Sequence, residues 1–89
     1  MLYNMYSVKD EMTGKFMNPM FIQDGETADR EATRNFATNV NEIAMWRSNP
    51  NDFSLYKVGV FNDEEGAAST VITKIASGRS VLNVGIDTN

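Results

Sequence analysis

The chain has 89 residues, 42% hydrophobic and 22% charged, with eight Lys and Arg against twelve Asp and Glu for a net charge of −4. That length makes residues 1–89 one small domain with enough apolar content for a core. Cys and His are both absent, which excludes disulfides, thiolate metal sites and cysteine nucleophiles, and removes the commonest general base and metal ligand near neutral pH. No apolar run approaches the ~18 residues of a membrane span and no signal-peptide core opens the chain. The expectation is therefore a soluble intracellular protein with no membrane partner. The acidic balance argues against a simple polycationic nucleic-acid binder.

In chain order, Leu2 to Val8 is rich in β-formers and reads as a strand. The polar stretch Lys9 to Gly14 suits a hairpin loop. Lys15 to Gln23 returns as a second strand, an edge or one broken at Pro19, which has no N–H to give a ladder. Residues 27–46 read as a single helix. Thr27 caps it, Asp29 and Glu31 favour its first turn, and Ala28, Ala32, Phe36, Val40 and Ile43 form one apolar stripe. Arg30, Arg34 and Asn41 fall on roughly the opposite face. Asn49-Pro50-Asn51-Asp52 ends the segment.

Phe53 to Phe61 reads as a third strand. Period-2 alternation puts Phe53, Leu55 and Phe61 on one face and Tyr56, Val58 and Val60 on the other. Asn62 to Gly66 is a turn, and Ser69 to Ile75 a fourth, β-branched strand. Residues 77–89, with Val81, Leu82, Val84 and Ile86, read as a short terminal strand or as an arm against a second subunit. The order ββαββ packs most simply as an α+β fold, with one helix across a face of an antiparallel sheet of four to five strands. Tyr3, Met5, Met17, Phe21 and Tyr56 cannot all lie under one helix. A half-exposed apolar sheet face implies a homodimer or a ligand.

Asp10-Glu11 and Asp63-Glu64-Glu65 are the carboxylate clusters; both fall in turns where acids are ordinary, so metal-assisted phosphate-ester hydrolysis is disfavoured. Without His no Ser-His-Asp arrangement exists. The expectation is a protein that is not an enzyme, with no catalytic residues, metal or cofactor. The cations interleave with aromatics in the manner of a single-strand site, with phosphate contacts from Lys15, Arg30, Arg34, Lys57, Lys74 and Arg79, and stacking from Tyr6 and Tyr56. Against this, Glu26 and Glu31 lie within helical pairing range of Arg30 and Arg34, so surface ion pairs account for both arginines.

Three stretches look familiar together. They are Tyr6-Ser7-Val8-Lys9-Asp10 with Gly14, Phe16 and Pro19; Arg34-Asn35-Phe36 with Val40-Asn41; and Asn49 to Gly59 running into Phe61-Asn62-Asp63-Glu64-Glu65-Gly66. In order and spacing this resembles a small nonstructural protein family of gokushovirus-type microviruses (Microviridae), the icosahedral single-stranded DNA bacteriophages. The resemblance implies a DNA-binding role in viral replication or packaging, in the host bacterial cytoplasm. Arg34 is the first candidate contact, since it lies both in a family-like motif and on the outer helix face. The alternative is a protein-interaction module that binds a phage replication or capsid protein, or a host factor, through the apolar sheet face.

Overall fold

The computed structural model describes residues 1–83, which form an α+β fold. Its antiparallel sheet has five strands: β1 (Leu2–Asp10), β2 (Lys15–Phe16), β3 (Met20–Gln23), β4 (Phe53–Asn62) and β5 (Ala67–Ser77). β4 pairs along one side of β1, and β5 forms the edge beyond it. β2 and β3 both pair with the other side of β1. They are one edge strand, interrupted at residues 17–19. Pro19 has no N–H for a ladder there. The Ser7 hydroxyl, which donates to the Met17 carbonyl at 2.5 Å, ties the interruption down. The β4–β5 hairpin closes with Gly66 at φ 66°, a left-handed position that suits glycine.

The helical layer covers one face. α1 (Ala28–Glu42) buries Ala28, Ala32, Phe36 and Val40, four residues apart throughout. That spacing is the apolar stripe, and burying Phe36 and Val40 contributes about 1.5–3 kcal/mol each. Thr27 precedes α1, but its hydroxyl donates to the Glu31 carboxylate at 3.0 Å and caps no backbone N–H.

The single helix expected over residues 27–46 is in fact broken. Ile43 is extended (φ −82°, ψ 116°) and a second helix, α2 (Ala44–Ser48), follows. An unbroken helix would keep Ile43 on the stripe, about 20° round from Phe36, and carry Trp46 on along the same axis. The break exchanges them. Ile43 is left 40% exposed, while Trp46 is buried, stacked on Phe53 at 4.7 Å and tilted against Phe36 at 6.4 Å. The indole is the larger apolar surface, so its burial favours the exchange. A 3-10 turn at Pro50–Asp52 then leads into β4.

Two further expectations change. Residues 78–81 form a helical turn, α3 (Gly78–Val81), in place of a terminal strand. Residues 84–89 of that expected segment, with Val84 and Ile86, lie outside the described residues. Asn41, expected on the outer face of α1, is buried under α3. Its amide donates to the carbonyls of Ala37 (2.7 Å) and Val81 (3.0 Å), and its Oδ1 accepts from the Asn83 N–H.

The sheet itself carries the feature that matters most for the site. Met5 pairs with Gly59, but the next residue, Tyr6, pairs with Lys57, so Val58 is an extra residue in β4. Such a bulge reverses the alternation beyond it. Phe61 therefore shares a face with Tyr56, and Val60 lies on the helix side, the reverse of the simple period-2 reading.

Candidate nucleic-acid interface

The two sheet faces are distinguished along β1, which is regular. Asn4 and Tyr6 lie toward the helix: the Asn4 amide donates to the Tyr6 hydroxyl at 3.1 Å, which in turn donates to Asp29 of α1 at 2.5 Å. Tyr3, Met5, Ser7 and Lys9 alternate with them and lie on the opposite, open face. Directly paired residues share a face, which adds Phe16, Phe21, Ser54, Tyr56, Phe61 and Lys74. The molecule's smallest extent is 16 Å, the thickness of one sheet with a single helical layer.

The aromatic residues of the open face fall into two groups. At one end, Phe21 and Phe61 meet edge to face with centroids 6.2 Å apart, and with Tyr3 they line a hollow of about 350 Å³. No charged side chain lines that hollow. At the other end, Phe16 and Tyr56 meet edge to face at 5.4 Å. The Lys9 ammonium stands 5.7 Å from both ring centroids, within cation–π range. Lys74 pairs across the sheet with Tyr56. From Tyr3 to Lys9 the strand runs about 20 Å at the usual rise per residue, which leaves room for several groups side by side.

Glu11 sits within the second group. Its carboxylate is 3.7 Å from the Lys9 ammonium and accepts a hydrogen bond from the Tyr56 hydroxyl at 3.4 Å. The Ser54 hydroxyl, followed by the charges of Lys9 and Lys74, holds this carboxyl below the usual carboxylate range. Asp10, Asp63 and Glu64 of the two turns have structural partners. Asp10 accepts from the N–H groups of Met12 and Thr13, and Asp63 lies 3.0 Å from the Met1 ammonium. Among the described residues no three carboxylates converge in a way that could hold a metal ion, and no helix is long and apolar enough to cross a membrane.

The sequence-derived candidates scatter. Tyr56 and Lys74 come together on the open face. Tyr6 does not join them: its ring is 0% exposed, so no base can stack on it, and burial with the Asp29 bond pushes its hydroxyl up to about 12. Lys57 pairs with Tyr6 and so lies on the helix side, and Lys15 pairs with Asp10 on that same side. Arg30 and Arg34 are exposed on the outside of α1, across the molecule from the open face. Among the described residues neither closes the ion pair expected with Glu26 or Glu31. Arg79 donates to Asn51 at 3.2 Å. The candidates overlooked are Lys9, Phe16 and Phe61. The alternation of Tyr3, Met5 and Lys9 along β1 was the available signal for the first. Phe61 was hidden by the bulge.

No curated protein and no solved structure matches the chain. Residues 3–81 match the model of a family described as Phage ORF5 protein.

Proposed function

The chain belongs to the Phage ORF5 protein family, and from that premise we propose that it is a non-catalytic protein of gokushovirus-type phages that binds single-stranded DNA. The step it serves is replication or packaging of the viral genome, in the host bacterial cytoplasm. The observation that carries this reading is the Phe16–Tyr56 pair under Lys9, with Lys74 alongside, on a sheet face that no helix covers among the described residues. Phe16, 43% exposed, and the half-buried Tyr56 give bases a sequence-tolerant surface, and flanking ammonium groups take the phosphates. The acidic total does not forbid this, because the local charge at the rings decides phosphate contact. The protein's contacts therefore shift from the helix arginines to Lys9, Lys74, Phe16 and Tyr56. Titrating a fluorescent oligothymidylate at several salt concentrations tests it. The expected result is binding at low salt that weakens linearly in log–log form, with a slope near −1.4 for two phosphate contacts at about −0.7 each. No binding at low salt, or binding indifferent to salt, refutes it.

A second reading applies to the other end of the same face. The Tyr3, Phe21 and Phe61 hollow has purely apolar walls, which suits a protein side chain better than a polyanion. In this reading it seats a second copy of the chain, giving the homodimer. A phage replication or capsid protein is the alternative occupant. Sedimentation of the wild type against Phe21→Glu distinguishes these. Loss of a dimer supports self-association, and a monomeric wild type removes it.

A further inference from the structure

Among the described residues, Lys9–Glu11 is the one ion pair joining two side chains, and it lies in the middle of the proposed DNA-binding surface. The carboxylate is well provided with donors. Lys9 is 3.7 Å from one oxygen and the Tyr56 hydroxyl 3.4 Å from the other. Ser54, buried at 1% exposure, pairs across the sheet with Lys9, and Lys74 pairs with Tyr56; both act to hold the Glu11 carboxyl low. The Glu11 backbone is fixed independently, its N–H donating to the Asp52 carbonyl at 2.7 Å. The Glu11 side chain is 30% exposed, so it can swing into solvent while its backbone stays in place.

The Lys9 ammonium and the Tyr56 hydroxyl meeting on one carboxylate, with Ser54 and Lys74 on neighbouring strand positions, form an anion seat. A carboxylate and a phosphodiester both present two acceptor oxygens that share a single negative charge. Donors that satisfy one therefore satisfy the other. We propose that Glu11 is an internal stand-in for a backbone phosphate: it occupies this seat in the free protein, and a phosphate of the bound strand displaces it. This inference rests on the single-strand reading and adds a regulation to it. A lone phosphate or nucleotide has to compete with a tethered carboxylate at high effective concentration. A strand that also stacks bases on Phe16 and Tyr56 brings enough additional free energy to displace it. The seat thereby selects polymer over the free phosphates of the cell.

The test compares the wild-type chain with Glu11→Gln, which keeps the side chain's size and removes its charge. Oligothymidylate affinity is measured by fluorescence anisotropy between 50 and 200 mM salt, and pyrophosphate binding by chemical shifts of the Lys9 and Lys74 ammonium groups. The expected result for Glu11→Gln is binding about two- to tenfold tighter at the low-salt end, from the loss of one nearby like charge. Its log–log salt slope stays near the wild-type value, because the same two lysines meet phosphates in both proteins. It also binds pyrophosphate at concentrations that leave the wild type unshifted. If the wild type binds the oligonucleotide and Glu11→Gln binds equally or more weakly, Glu11 merely positions Lys9, and the stand-in is overturned while the DNA reading survives. If neither protein binds the oligonucleotide, both are overturned. Far-UV circular dichroism of the variant confirms that the fold is retained.

Discussion

Replacing Tyr6 with Phe tests how the helix is held on the sheet, because the change removes one oxygen and leaves the buried ring. That oxygen donates to Asp29 in the first turn of α1 and accepts from the Asn4 amide. Asp29 is exposed, so water replaces its lost partner at small cost. Asn4 is 3% exposed, and its amide is left without that acceptor. An unsatisfied buried donor costs about 1–3 kcal/mol, and the lost bond to a charged acceptor adds to it, for a total near 2–3 kcal/mol. At about 4–8 °C per kcal/mol for a domain of this size, Tm falls by roughly 10–20 °C. The pH dependence gives a second signature. The Tyr6 hydroxyl is raised from 10.0 to about 12 in the folded chain, first by burial and then by the Asp29 bond. Between those values the unfolded chain has lost this proton and the folded chain still holds it. Stability is therefore fully present below pH 10 and declines as pH rises toward 12, by about 1.4 kcal/mol per pH unit from this group. Urea unfolding of both proteins from pH 8 to 11.5 measures both effects. In Tyr6→Phe the one-proton slope above pH 10 should disappear. A variant within about 0.5 kcal/mol of wild type, with an unchanged alkaline slope, would refute the argument.

Trp46→Ala should cost about 3–5 kcal/mol in urea unfolding followed by circular dichroism, whereas Ile43→Ala should cost under about 1 kcal/mol. Equal losses would mean that the helix break does not exchange their burial. Gly59→Ala would place a Cβ 2.6 Å from the Ser69 carbonyl oxygen and 3.3 Å from the Met5 sulfur. Since the nearer atom is backbone, β4 and β5 must separate, and a loss of about 1–3 kcal/mol is expected. Phe16→Ala and Tyr56→Ala should each weaken oligothymidylate binding by about 1–3 kcal/mol at fixed salt, the usual cost of losing one stacked base. Tyr6→Phe should leave that affinity unchanged once the protein is folded.

The α+β class, the antiparallel sheet and the four-residue stripe of α1 were legible because each depends on local periodicity. Pro19 correctly marked a broken edge strand, since its missing N–H acts wherever it is placed. What escaped was set by distant packing. Ile43 is left exposed while Trp46 is buried, and Phe53, arriving from β4, supplies the stacking partner for the indole. Asn41 looks solvent-facing on a helical wheel until α3 covers it. A single bulge at Val58 moved Phe61 to the face of Tyr56, and no composition or spacing rule locates a bulge. Of the candidate residues, Tyr56 and Lys74 share the open face, whereas Tyr6, a stacking ring by sequence, is a buried tie to Asp29. Arg30 and Arg34, attractive as adjacent cations, lie on the far side of the molecule from Phe16 and Tyr56.

The central claim is that single-stranded DNA lies on the open sheet face and not along α1. Salt-dependent oligothymidylate titration of two double variants, Lys9→Gln with Lys74→Gln and Arg30→Gln with Arg34→Gln, tests it most directly. The account predicts that the first pair loses most of the salt slope, about 0.7 for each lysine, while the second retains wild-type affinity and slope. The reverse result, with the helix arginines carrying the slope and the sheet lysines silent, would contradict it.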